Sequence, residues 1–246
     1  MSVTRWTEAT REELNALLPH AVVVLPIGAT EQHGPHLATG MDALAAERLA
    51  AAGAERAAHA GGVVLAPTLA VGASDHHLAF GGTLSLSAAT LALVLADVIA
   101  SAARSGARRL LLLNGHGGNS ALCAQAVTDG ARLHGIVAAA ADYWALTRVA
   151  GPWGDHWPGH AGAFETALMR ALRPAGVRDG ALRPSPGEWP SVPDGVRLEQ
   201  PAAWAAIDGF TDDPGAGDLA SGEAALERLG AAVAAAIDAV GKEPVR

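Results

Sequence analysis

Arg109-Leu110-Leu111-Leu112-Leu113-Asn114-Gly115-His116-Gly117-Gly118-Asn119 is an apolar run that ends in a glycine-rich turn around one histidine. Consecutive leucines with no polar interruption describe a strand buried on both faces, the strand type of a parallel sheet. The turn puts His116 at the carboxyl end of that strand, where open α/β sheets place their chemistry. The same order occurs upstream. Ala21-Val22-Val23-Val24-Leu25-Pro26-Ile27, bounded by Gly28, precedes the polar cluster Glu31-Gln32-His33-Gly34-Pro35-His36, and Asp42 follows.

Between and beyond these runs the patterning alternates. Asp42 to Ala60 is Ala-rich with apolar spacing near 3.6 and is closed by Gly61-Gly62, which predicts a helix. Val63-Val64-Leu65 reads as a strand stopped by Pro67, and residues 68–83 as a long polar loop. Ser87 to Ala103 reads as a helix with Ser87 as N-cap. Ser120 to Leu133 is a further helix, and Gly135 to Ala141 a further strand. The alternation predicts right-handed βαβ units and a mostly parallel sheet with helices on both faces. The loops holding Glu31, His77 and His116 should then meet at one edge of the sheet.

The rest is less regular. Residues 143–162 hold Trp144, Trp153 and Trp157 among several Gly and Pro residues, the composition of a lid or binding loop. Ala163 to Leu172 reads as a helix, Arg173 to Pro201 as a surface excursion, and Ser221 to Val240 as an amphipathic closing helix. No repeat and no domain boundary is visible, so a single domain over residues 1–246 is expected.

Composition narrows the function classes. Half of the 246 residues are hydrophobic and only 17% are charged, which excludes a disordered chain. A net charge of -8 argues against a nucleic-acid surface. The single cysteine, Cys123, excludes an intrachain disulfide and a multi-cysteine metal site, and its neighbours Leu122 and Ala124 mark it as core. The longest apolar stretch, Ala88 to Ala103, contains Asp97 and is too short to span a bilayer. The segment Met1 to Glu8 has no apolar signal-peptide core, so a soluble cytoplasmic setting is expected.

Glu31 and His33 are two residues apart, which in extended backbone puts both side chains on one side. Carboxylate and imidazole together suit Zn²⁺, Mn²⁺ or Fe²⁺. Taken alone, the pair fits equally a solvated loop carboxylate, and Asp42 a helix N-terminal cap. His116 is different. Its turn lacks the lysine of a P-loop and the glycine spacing of a dinucleotide fingerprint, which leaves a metal ligand as the stronger reading over a phosphate cradle. His160, with Glu165 on the helix after it, has the types needed for proton transfer, although spacing alone slightly favours a capping histidine and a surface glutamate. His36 reads as a partner that orients a ligand. One member of the pair His76-His77 is expected to face solvent. His20, His59 and His134 read as structural.

Taken in order, Glu31-Gln32-His33-Gly34-Pro35-His36-Leu37, Asp42, Asn114-Gly115-His116-Gly117-Gly118-Asn119, and His160-Ala161-Gly162 with Glu165-Thr166 resemble the creatininase family over roughly residues 20–240. The segment Ser74 to Thr83 resembles that family's substrate loop, with Phe80-Gly81-Gly82-Thr83 in place of a Phe-Pro-Gly-Thr pattern. The resemblance implies a three-layer αβα metal-dependent amidohydrolase, often a hexamer. It implies one or two divalent ions held by Glu31, His33, Asp42 and His116, with Asp42 bridging and Glu165 completing a second site. It further implies His160 as proton carrier, and Ser74 and His77, in the substrate loop, as substrate contacts. Trp144, Trp153 and Trp157 would form an apolar wall or, equally, anchor their loop.

Two departures bear on specificity. Gly117 and Gly118 stand where creatininase itself carries an aromatic residue and a glutamate, so creatinine is not the expected substrate. Gly81 replaces the proline of the substrate loop. The expected reaction is hydrolysis of a C–N amide bond in a small molecule: a cyclic amide, a formamide or a small peptide. A mycofactocin-precursor-type peptidase of the same family is the alternative within the class. The alternatives outside it are a metal-free binding protein on the same fold and a nucleotide-binding domain using the glycine loop.

Overall fold

The computed structural model describes residues 2–153, 157–191, 193, 196 and 198–245. Among these, β1 (Val3–Arg5), β2 (Val22–Ile27), β3 (Val63–Leu65), β4 (Arg109–Asn114) and β5 (Val137–Asp142) form one sheet in the order β1-β3-β2-β4-β5. Every pairing is parallel, and β2 runs in register with β4 from Val22↔Arg109 to Ile27↔Asn114. The two motif-bearing strands are therefore central neighbours whose carboxyl ends lie side by side.

The helices are α1 (Arg11–Leu17), α2 (Met41–Arg56), α3 (Ala88–Arg104), α4 (Ser120–His134), α5 (Ala163–Leu172), α6 (Pro201–Ala206) and α7 (Leu219–Lys242). Side chains alternate across the sheet with the period of two that a strand imposes. Val22, Val24, Leu111 and Leu113 pack with α2, α5 and α7, whereas Val23, Leu25, Leu110 and Leu112 pack with α3 and α4. Each fully buried leucine contributes on the order of 2 kcal/mol by removal from water. The result is the expected three-layer αβα arrangement.

Pro26 sits inside a central strand without breaking it. The β2–β3 ladder stops at Val24↔Leu65 and resumes only as the Ile27↔Leu69 bridge, so no ladder bond calls for an N–H at Pro26. Its carbonyl there accepts from Leu69 N at 3.0 Å.

Glycine at position 28 is required by contact. A Cβ on Gly28 would lie 2.3 Å from Ala43 N and 2.5 Å from Ala43 Cα, inside the backbone of α2. Its absence lets the first turn of α2, which carries Asp42, cross the end of β2. Gly28→Ala will cost about 3 kcal/mol or more, because backbone rather than a movable side chain must give way. A urea unfolding midpoint within error of the parent protein would contradict this.

Residues 143–162 depart from the expected lid. Tyr143, Val149 and Trp153 are buried in the α2/α5/α7 core, and the Trp153 indole donates to the Val149 carbonyl at 3.0 Å. Trp157 lies 4.3 Å from Phe164, and Trp144 packs against the same core. The apolar area of these rings draws the described part of the segment inward; residues 154–156 of the expected lid lie outside the described residues. Cys123 is core, as expected, and burial pushes its thiol up to about 12.

Candidate metal centre

Four loops converge at the carboxyl ends of β2 and β4. Asn114, the last residue of β4, donates to the His116 carbonyl at 2.8 Å and to Asp142 Oδ1 at 2.7 Å, and accepts from the His116 amide at 3.1 Å. Asn119 donates to the Gly28 carbonyl at 3.0 Å and accepts from Ala73 N at 3.0 Å. The two asparagines of the motif thus lock the His116 turn to the loops after β2 and β3. Gly118 permits the closest approach: a Cβ there would lie 2.2 Å from the Ala73 carbonyl and 2.5 Å from His116 Nε2.

Glu31, His33, Asp42, His116 and Glu165 are all buried, and they meet. His116 Nδ1 lies 3.2 Å from Glu31 Oε1 and 3.1 Å from Asp42 Oδ2. His33 Nε2 lies 2.9 Å from Asp42 Oδ1 and 3.7 Å from Glu165 Oε2. Two triads result, Glu31–Asp42–His116 and His33–Asp42–Glu165, each with ligand atoms within 4.8 Å of one another. Asp42 belongs to both and turns a different oxygen to each.

The far side of each imidazole is already committed. His33 Nδ1 lies 3.1 Å from the Glu31 carbonyl, and His116 Nε2 lies 3.0 Å from the Ala73 carbonyl. A carbonyl only accepts, so those nitrogens donate. A neutral ring then has no proton left for its other nitrogen, which would face a carboxylate with a bare lone pair. Some cation must lie between, either a proton or a metal. Without a metal, the protons stay. Burial alone would depress His33, yet the Asp42 carboxylate, with Glu165 and Glu31, lifts it to about 10. Burial is likewise outweighed at His116 by Asp42 and Glu31, which hold it well above the usual imidazole range. Asp42 is held low by these two imidazoles in spite of its burial. Glu165 goes the other way: burial, together with the Asp42 and Glu31 charges, raises it to about 7.

Without a metal, the site keeps its carboxylates only by holding protons on buried imidazoles. Glu31 Oε2 is buried with no hydrogen-bond partner, and Glu31 Oε1 and Asp42 Oδ2 face only imidazole nitrogens. Among the described residues, histidines are the only basic groups within 4.0 Å of the three carboxylates. Buried carboxylates are costly unless paired or bound to a metal. The donor set of imidazole nitrogen and carboxylate oxygen, with a carboxylate shared between triads, fits one or two divalent ions.

Around this cluster, His160 Nδ1 lies 3.6 Å from Glu31 Oε1 and His77 Nε2 lies 3.7 Å from the same oxygen. Burial and the surrounding imidazoles push His77 down to about 2 and His160 well below its ordinary value, so both are neutral. Ser74, also buried, sets its hydroxyl 3.3 Å from His116 Nε2, behind the ring. His76 is the half-exposed member of its pair and stacks on His116 with centroids 5.7 Å apart. His36 does not touch the cluster directly. Its Nε2 donates to the Ala161 carbonyl at 2.8 Å, while Ala161 N donates to Glu165 Oε2 at 2.5 Å. His36 thereby orders the turn that aims Glu165. His59 donates to the His20 carbonyl at 2.9 Å, a structural bond.

Trp157 makes its ring contacts with Phe164 and Trp153 and donates to the Trp144 carbonyl at 3.3 Å, so its described partners belong to the core. The aromatic ring beside the histidines is one that sequence reasoning passed over. Trp204, on α6, lies edge-on 4.5 Å from His77 and 5.6 Å from His160, and Trp189 lies 4.5 Å behind it. Trp204, just beyond the expected surface excursion, and Trp189 within it therefore put aromatic rings beside the histidines, in place of the rings expected from residues 143–162; residues 192, 194, 195 and 197 of the excursion lie outside the described residues. A short helix with Pro201 at its first turn was the available signal.

Comparison with known proteins agrees with this geometry. A relative named "Mycofactocin precursor peptide peptidase", from Mycobacterium tuberculosis (strain CDC 1551 / Oshkosh), is 36% identical over 177 residues, 69% of this chain and 65% of that protein's length. A solved structure named "Creatininase Mn" superposes with a TM-score of 0.83 at 30% identity, covering 98% of this chain and all of that one (100%). A mutant creatininase described as "Zn-Zn type" gives 0.82 at 29% identity, covering 99% of this chain and 100% of that one. The family model "Creatininase: Creatinine amidohydrolase" matches residues 7–237, nearly the whole described chain, and this chain belongs to the creatininase family.

Proposed function

We propose that this protein is a metal-dependent amidohydrolase that cleaves a C–N amide bond in a cyclic amide, a formamide or a small peptide-like substrate. The observation that carries the reading is the pair of buried triads sharing Asp42, whose carboxylates have only imidazoles as basic neighbours. Glu31, Asp42 and His116 would hold one ion, and His33, Asp42 and Glu165 a second; zinc, manganese and iron all suit the donor set. A divalent ion held there lowers the pKa of a bound water toward neutrality and polarises a carbonyl.

The chain's own residues supply the rest. By the family resemblance Ser74 and His77 would contact the substrate; His77 faces the cluster, whereas the Ser74 hydroxyl sits behind the His116 ring. His160 is neutral, with Nδ1 facing the cluster, which suits it to carry a proton to the departing nitrogen. Trp204 would bound the substrate and exclude water, the role expected of Trp157. Trp204→Ala will raise KM by about tenfold, the loss of roughly 1.4 kcal/mol of ring contact, with a smaller change in kcat. An unchanged KM would remove Trp204 from the substrate wall.

The mycofactocin-peptidase likeness and the Gly117-Gly118 pair favour a second reading, a peptidase acting on a short peptide or peptide-derived amide. A cytoplasmic, single-domain homo-oligomer, with a hexamer as the expected form, completes the proposal. No helix among the described residues is long and apolar enough to cross a membrane.

The test combines elemental analysis of protein purified without chelator with a screen of lactams, formamides and short peptides against manganese- and zinc-loaded protein. His116→Ala will lose both metal and hydrolysis while keeping its fold. Full metal occupancy in that variant would take His116 out of the site. An empty, inert parent protein would favour the metal-free binding protein.

A further inference from the structure

Four contacts of the Gln32 carboxamide decide the tautomers of two histidines. Oε1 accepts from Gly34 N at 2.9 Å and Nε2 donates to the Gly209 carbonyl at 2.7 Å, so the two ends of the amide cannot be exchanged. Nε2 carries two hydrogens and has two further neighbours, His77 Nδ1 at 2.9 Å and His160 Nε2 at 3.2 Å. His160 Nε2 also lies 3.1 Å from the Gln32 carbonyl, which only accepts. That nitrogen therefore holds the His160 ring proton and cannot accept a second one. By elimination, the remaining Gln32 hydrogen goes to His77 Nδ1. The His77 proton is then on Nε2, which is buried, has no hydrogen-bond partner, and lies 3.7 Å from Glu31 Oε1.

We propose that Gln32 is a positioning residue that commits His77 to its Nε2–H tautomer and so makes His77 the hydrogen-bond donor for the oxygen of the scissile amide. The tautomer stands on hydrogen-bond accounting alone; the role toward the amide oxygen rests on the amidohydrolase reading. The two rings lie nearly parallel with centroids 4.3 Å apart. They present unlike atoms to Glu31, an N–H from His77 and a bare Nδ1 from His160. A donor held in place beforehand needs no reorientation as charge builds on the oxygen. Glutamine suits this task because its amide is a donor at every pH, whereas glutamate there would only accept.

Histidine-selective ¹⁵N labelling of the zinc-loaded protein, read by long-range ¹H–¹⁵N correlation, tests the tautomer directly. The His77 signals are assigned by their loss in His77→Phe. The expected pattern for His77 is a protonated Nε2 and a bare Nδ1. In Gln32→Leu the two tautomers should mix while zinc stoichiometry holds. A protonated Nδ1 in the parent protein, or an unchanged pattern in folded Gln32→Leu, overturns the proposal. If Gln32→Leu fails to fold, Gln32→Glu replaces it; a bare Nδ1 persisting opposite that carboxylate is equally fatal. A bare Nε2 appearing on zinc addition would make His77 a ligand and overturn the donor role.

On an amide that the enzyme hydrolyses, His77→Phe should lower kcat by about 10²–10³-fold with little change in KM, and His77→Gln, which keeps an N–H, should recover at least about tenfold. Equal losses in both variants would contradict the donor role. A protein that holds no zinc and hydrolyses nothing sinks the amidohydrolase reading instead, and the spectrum of the metal-free protein still decides the tautomer.

Discussion

Asp42→Asn will purify as a folded protein that has lost its divalent ions and at least about 10⁴ of its hydrolytic rate. The size of the effect follows from the position of one side chain. Asp42 Oδ1 faces His33 and Asp42 Oδ2 faces His116, so a single carboxylate serves both triads. Asparagine keeps the shape but turns one oxygen into a donor, which opposes a cation on that side and removes a negative charge from both. The fold should survive, because Asp42 does not cap α2; Gly40 occupies that position. Circular dichroism and elemental analysis on the same sample check both halves. Parent-like metal content in Asp42→Asn would show that the triads do not share this residue.

His160→Ala separates metal binding from proton transfer. It should keep its full metal content and lose about 10²–10⁴ in kcat, the range for removing a general acid or base. His160 is well placed to give this result, since its Nδ1 lies 3.6 Å from Glu31 Oε1, near enough to exchange protons at the cluster. Its ring is held by Gln32 on one side, and its backbone by Thr211, which donates from N to the His160 carbonyl at 2.8 Å. The alanine variant therefore removes a ring without loosening the turn. Partial recovery of turnover by added imidazole would strengthen the assignment. Unchanged turnover would remove His160 from the chemistry.

Most of the sheet was legible because its signals are local. The Leu110–Leu113 run and the valines of β2 can be little else than strands buried on both faces, and Ser87 caps α3 by accepting from Thr90 N, as its position before an apolar helix implied. What escaped notice was short. β1 has three residues, and α1 has seven, although Thr10 and Glu13 form a complete capping box at its start. Elements of that length gain their stability from neighbours, which a single sequence does not display.

The candidate site divides in the same way. Glu31, His33, Asp42 and His116 were visible as residue types near strand ends, and the sheet brings them together. The role of Gln32 was not visible, because it depends on Gly209, 177 residues away, and on two histidines from separate loops. The tryptophans misled for a physical reason. A ring rich in apolar surface is as useful to a core as to a binding wall, and sequence does not say which. Trp153 went to the core and Trp204 to the histidines.

Anomalous diffraction from crystals of the manganese- or zinc-loaded protein, collected at the metal edge, addresses the central claim with least inference. Two peaks are expected, about 3.5–4 Å apart, one among Glu31, Asp42 and His116 and the other among His33, Asp42 and Glu165. Crystals from saturating metal with no peak within coordination distance of Asp42 would contradict the account.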